Sequence, residues 1–224
     1  MALLITNTPN PEERKMKLIV FGSTGGTGQQ IVSQALQMGH IVTAFTASPD
    51  KMKQNHYGLQ VVKGDVMESA SVINAIQGND AVFCLLGLPA NNKNKLRANG
   101  SNIIIHAMKN AGITRLICLS AIGVGDSYAL LPFHYKYFII PLMLRHVYAD
   151  HELQERYIKK SSLDWTIARA GALTDDKHTG HYKHGFSAEE KTVTFKISRA
   201  DIADFMIQQL TSDSYLHKTP CVSY

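Results

Sequence analysis

An α/β fold with a doubly wound parallel sheet follows from three observations on the sequence. Apolar runs of strand length alternate with amphipathic helical stretches across short links. The first run, Lys17–Phe21, leads without a break into Gly22-Ser23-Thr24-Gly25-Gly26-Thr27-Gly28. Polar and glycine residues then fall at the C-terminal ends of successive strands, the edge where such sheets take up ligands.

The glycine turn is justified first. Three glycines at three-residue spacing between a strand and a helix make a site for a dinucleotide pyrophosphate. Gly22 permits the tight turn, Gly25 lets backbone and phosphate approach, and Gly28 lets the helix pack on the strand. The free N–H groups near Thr27 and Gly28 then meet the anion at the positive end of the helix dipole. The helix carries Ile31, Val32, Ala35 and Leu36 on one face and ends near Gly39. This strand, turn and helix predict a sheet of Rossmann type.

The second strand reads His40–Phe45 and is followed by Thr46-Ala47-Ser48-Pro49-Asp50-Lys51. An acidic residue at that strand end would grip the adenosine ribose of NAD, and none stands there. A 2′-phosphate is therefore permitted, with Ser48 as donor and Lys51 as cation. The cofactor expected is NADP, with NAD open.

Strand three is Leu59–Lys63, strand four Asp80–Leu86, strand five Thr114–Ser120 and strand six Asp164–Arg169. Helices are expected near 69–77, 95–111, 147–161 and 199–211, the last with Asp201 in its first turn. The strand ends supply Asp65 and Val66, then Leu86, Gly87 and Leu88, then Ser120, then Arg169, Ala170 and Gly171. The Asp65 carboxylate either accepts from the adenine amino group or serves as a turn or cap residue.

Residues 126–146 and 172–198 are expected as insertions on the substrate side, forming a small C-terminal elaboration. The first is apolar and aromatic but broken by His134, Lys136 and two prolines, too short for a bilayer span. It reads as a pocket wall, a packed helical insertion, or a patch against a second subunit. His178, His181 and His184 stand among glycines and lysines and read as a loop or hairpin, with no metal expected.

Of the 224 residues, 45% are hydrophobic and 18% charged, which suits a single globular domain over residues 16–224. Residues 1–15 read as a flexible leader. The net charge of +5 favours an anionic ligand, but the cations are scattered, so nucleic acid is not expected. Three cysteines are too few for a disulfide framework and point to a reducing, cytoplasmic setting.

With these residues placed, the chain resembles the atypical short-chain dehydrogenase/reductase superfamily. Within it, the chain is similar to the NmrA-like and the biliverdin-reductase-B and flavin-reductase-like NAD(P)H-binding proteins. The likeness covers about residues 16–212. It rests on Gly22–Gly28, Gly64-Asp65-Val66, Ala81–Gly87, Leu119-Ser120-Ala121, Ala149-Asp150-His151, Ser162–Arg169 and Ser198–Asp201. Three departures stand out. Ala47 occupies the place of an arginine common in relatives, Arg169-Ala170-Gly171 replaces Arg-Pro-Gly, and no tyrosine is followed four residues later by lysine.

Hydride transfer needs the acceptor held against the nicotinamide and a proton delivered nearby. Ser120 is expected to hold the acceptor by its hydroxyl. His151 is expected either to relay the proton, titrating near neutrality, or to be a capping or surface histidine. The function expected is an NAD(P)H-dependent reductase of a small planar acceptor such as a flavin, a quinone or a tetrapyrrole-like molecule. The alternative is a non-catalytic redox sensor, NmrA-like, acting through a protein partner. A monomer or weak dimer is expected.

Overall fold

The computed structural model describes residues 15–87, 93–186, 190 and 192–224. The strand, turn and helix expected at the start are present as β1 (Lys17–Phe21) and α1 (Gly26–Gln37). They are followed by β2 (Ile41–Thr46), β3 (Leu59–Lys63), α2 (Ser69–Ile76), β4 (Ala81–Cys84), α3 (Leu96–Ala111) and β5 (Arg115–Ala121). Then come α4 (Arg145–Lys159), β6 (Asp164–Ala170), β7 (Ala172–Thr174), β8 (Lys183–His184), β9 (Lys196–Ser198), α5 (Arg199–Gln208) and β10 (Cys221–Ser223).

The main sheet has the order β3-β2-β1-β4-β5-β6-β10-β8, parallel throughout except for β8 against β10. The order reverses between β1 and β4, which opens a crevice at the C-terminal ends of those two strands. β1 alternates its side chains. Leu18 and Val20 pack with α1 and α5 on one face, and Ile19 and Phe21 with α2, α3 and α4 on the other. That two-sided burial explains why the strands read as continuous apolar runs.

Several elements differ from expectation. Strand four stops at Cys84, because Leu85–Gly87 bend out to border the crevice. β10 is new and lies beside β6, and β7 pairs with β9 as a separate two-stranded ribbon. Three residues are too few to show a period. The segment 126–146 contains a 3-10 turn over Gly125–Leu130 and a wide-wound π-helix over Tyr135–Leu144 with Pro141 inside it. His184 lies in β8, and His178 Nε2 stands 3.7 Å from Asp201 Oδ1. Among the described residues no helix is long and apolar enough to cross a membrane. The expected leader falls outside the described residues, apart from Lys15.

Candidate functional site

The turn after β1 is held by backbone sterics. Gly22 has φ +83°, and a Cβ there would collide with the Leu85 carbonyl. A Cβ on Gly28 would collide with the Gly22 carbonyl, so α1 sits directly on the turn. A Cβ on Gly25 would meet only Gly22 O, at 3.3 Å, which leaves open space above it. Gly25 lines the cleft there.

The cleft consists of three adjoining cavities. The adenosine end, about 220 Å³, is lined by Gly22, Thr24, Ala47, Ser48, Asp65 and Val66 among others. The central cavity, about 250 Å³, is lined by Gly25, Gly26, Thr27, Gly28, Ser120 and His151 among others. Leu86 and Gly87 border both. The third cavity, about 260 Å³, is apolar and shares Ala121, Ala170 and Gly171 with the central one. A larger hollow of about 670 Å³ beside β3 and α2 reaches the opposite edge of the sheet at Lys17 and Ile41, and contains none of these residues.

Most of the expected residues are therefore brought together, and three are not. Ser23 is buried, and its hydroxyl donates to the Phe45 carbonyl at 3.0 Å, tying β1 to β2 instead of facing the cleft. Leu88 lies outside the described residues. Arg169 is corrected. Its guanidinium is 1% exposed and turned away from the glycine turn onto Glu155 and Asp126. Nε donates to Glu155 Oε1 at 2.9 Å, Nη2 to Oε2 at 2.7 Å, and Nη1 to Asp126 Oδ1 at 2.7 Å.

Ser120 reaches the cleft from β5, but its proton is engaged, because Oγ donates to Glu155 Oε1 at 2.8 Å. Burial pushes the Glu155 carboxyl up, yet the hydrogen bonds and charge of Arg169, joined by Lys159, outweigh it. Glu155 is held below its usual range and stays an acceptor. Toward the cleft Ser120 thus presents lone pairs and not a donor.

His151 is buried, and the expectation that it titrates near neutrality is corrected. Burial, with the Arg97 charge added, lowers it to about 3, so the ring is neutral. Tyr148 donates its hydroxyl to the Ile122 carbonyl at 2.9 Å and is pushed by burial up to about 12. Neither group is poised to release a proton near neutral pH.

At the adenosine end, Asp65 Oδ1 accepts from Met67 N at 2.9 Å, an Asx-type turn that leaves Oδ2 open. Thr46 Oγ1 accepts from Ser48 N at 3.0 Å and lies 3.3 Å from Thr24 Oγ1.

Two arginines were missed. Arg199, at the start of α5, lays its side chain against Gly26 and pairs with Asp175 at 2.7 Å. Arg97, at the start of α3, comes within 3.7 Å of the position of a Gly87 Cβ, and its Nη1 lies 3.5 Å from Asp150. Arg97 Nε and His151 Nδ1 are buried without a hydrogen-bond partner among the described residues. Both residues line the central cavity.

A family model described as NAD(P)H-binding matches residues 22–213. An uncharacterized chloroplastic protein of Arabidopsis thaliana is 28% identical over 206 residues, covering 88% of this chain and 72% of that protein. A short-chain dehydrogenase/reductase of Veillonella parvula in complex with NADP superposes with a TM-score of 0.78 at 15% identity, over 94% of this chain and 95% of that one. An anaerobilin reductase of Escherichia coli gives 0.74 at 22% identity, over 92% and 96%. These solved structures share the fold, and the expected likeness to atypical short-chain dehydrogenases is borne out. By its glycine turn, its crevice and this match, the chain belongs to the NAD(P)H-binding family.

Proposed function

We propose that this chain is an NAD(P)H-dependent reductase of a small, planar, lipophilic acceptor, with NADP(H) as its cofactor. One observation carries the reading. The apolar cavity opens from the central one through Ala121, Ala170 and Gly171, where the nicotinamide half of a dinucleotide spanning the cleft would lie. When bound, the cofactor supplies a hydride. The glycine turn and Arg199 would hold its pyrophosphate, and Asp65 Oδ2 its adenine amino group. The hydroxyls of Thr24, Thr46 and Ser48 line the adenosine end, and no carboxylate stands before Asp50 after β2, which supports NADP over NAD.

The chain's own groups position and do not titrate. Ser120 Oγ accepts from an N–H or O–H in the cleft while Glu155 keeps its proton turned inward. Leu131, Tyr135 and Phe195 line the apolar cavity and exclude water around a flat acceptor. The proton then comes from solvent, as flavin and quinone acceptors permit. Three buried free cysteines support a reducing compartment such as the cytoplasm.

The absence of a poised acid in the lining favours a second reading, a dinucleotide sensor that acts through a protein partner. NADPH oxidation screened against flavins and quinones separates the two. Turnover with one acceptor class is expected. Tight NADPH binding with no oxidation by any of them would transfer the assignment to the sensor.

A further inference from the structure

The π-helix Tyr135–Leu144 is apolar on both sides, a pattern expected of a buried helix, yet it lies at the surface. Its inner side gives Tyr135, Ile139 and Leu144 to the apolar cavity. Its outer side leaves Phe133, Tyr137, Phe138, Leu142 and Met143 between 55% and 75% exposed. The spacing of four and five residues suits the wide winding, so these side chains share one face. The rings of Phe133 and Tyr137 touch, with centroids 4.6 Å apart. Among the described residues, six of the ten exposed large apolar side chains fall between Tyr128 and Met143, so this is a patch and not scatter.

The charges within the stretch itself have one sign. Between Asp126 and Asp150 the sequence holds Lys136 and Arg145, with His134 and His146, and no carboxylate. Arg145 is exposed and opens α4, the end at which the helix dipole disfavours a cation. It donates to His146 Nε2 at 3.2 Å and has no acidic partner among the described residues. A two-fold pairing of this patch with a second copy would bring two rims of the same sign together. An anionic lipid surface complements both the apolar face and its rim.

We infer that this face lies on the surface of an anionic phospholipid bilayer, with its aromatic and aliphatic side chains at the level of the acyl boundary. The same helix then separates the bilayer from the apolar cavity. Resting on the reductase reading, a lipophilic acceptor would enter that cavity from the membrane and not from water.

The test is flotation with vesicles of phosphatidylcholine alone or with one quarter phosphatidylglycerol. The full chain is expected to float with the anionic vesicles at low salt and to be released by high salt. Phe138→Ser/Leu142→Ser/Met143→Ser should weaken flotation by at least about ten-fold, with NADPH affinity and melting temperature retained. Arg145→Glu should weaken it on anionic vesicles through charge alone. A chain that floats with neither kind of vesicle overturns the inference. So does a dimer in sedimentation that the triple variant dissolves. Flotation requires no turnover, so a chain that floats but oxidises no NADPH defeats the reductase reading and leaves this surface standing.

Discussion

The Arg169 guanidinium and the Glu155 carboxylate face each other in a two-bond fork, at 2.9 and 2.7 Å, with both side chains almost wholly buried. A charge buried near the C-terminal end of β6 requires such a partner. The pair ties β6 to α4, and through Ser120 it also orients β5 at the cleft. Removing Glu155 leaves the buried Arg169 with only the exposed Asp126 carboxylate, through Nη1, and strips Nε and Nη2 of their acceptor. Glu155→Leu is expected to cost about 3–5 kcal/mol in denaturant unfolding. Glu155→Leu/Arg169→Leu should be milder than the single variant, because no charge remains. Equal losses in the two would show that the fork contributes packing and not electrostatics.

Ser120→Ala removes an acceptor from the cleft but leaves the fork intact, since Arg169 still meets both oxygens of Glu155. NADPH oxidation should slow about 10- to 100-fold, the effect of one positioned hydrogen bond. The melting temperature should move little. Unchanged turnover would make Ser120 a structural link between β5 and α4.

His151 sets the acid side of the stability curve. Its pKa falls from 6.5 in the unfolded chain to about 3 when folded. Between those values the unfolded state binds the extra proton, so stability is full above pH 6.5 and declines as pH falls, by about 1.4 kcal/mol per unit. The depressed carboxyls, Glu155 and Asp201, start from 4.5 and 3.8 and act only below about pH 5. Loss between pH 6.5 and 5 therefore belongs to His151 together with His40, which burial also lowers. Unfolding of His151→Phe across that interval should be flatter than in the parent. A parallel slope would mean that the ring is hydrated and ordinary.

Gly25→Val tests the cradle. The added Cβ meets the Gly22 carbonyl at 3.3 Å, so the melting temperature is measured beside the binding and a folded variant is required for the test. It fills the space above the turn, and NADPH binding by calorimetry should fall below detection. Retained affinity would move the pyrophosphate elsewhere.

Much of this was legible in the sequence, for a steric reason. Where geometry demands glycine, the residue itself records the demand, as at Gly22 and Gly28. Strands buried on both faces are equally plain. Arg97 and Arg199 were not legible, because each lies at the start of a helix far along the chain and only the topology carries it to the turn. Glu155 had a signal that went unread. Arg169 in an apolar strand called for a carboxylate, and Glu155 with Lys159 at helical spacing offered one.

Arg97 yields the remaining prediction. Its Nε is unpaired, and its charge helps to hold His151 neutral. Arg97→Leu should weaken NADPH binding about ten-fold, the order of one charge-assisted hydrogen bond. It should also raise the His151 pKa, read from ring-proton NMR titration. Unchanged affinity and an unshifted ring would confine Arg97 to its contact with Asp150.

The two rims of the main sheet have a consequence for how copies of this chain can meet. One rim is β8, two residues long and antiparallel to its neighbour. The other is β3, which carries Lys63 and leaves Gln60 and Val61 toward solvent. Short edges and edge lysines resist strand-to-strand addition by a second chain. Edge-on aggregation into longer sheets is thereby discouraged at both ends, and self-association at high concentration should proceed through helical faces and leave the β content unchanged.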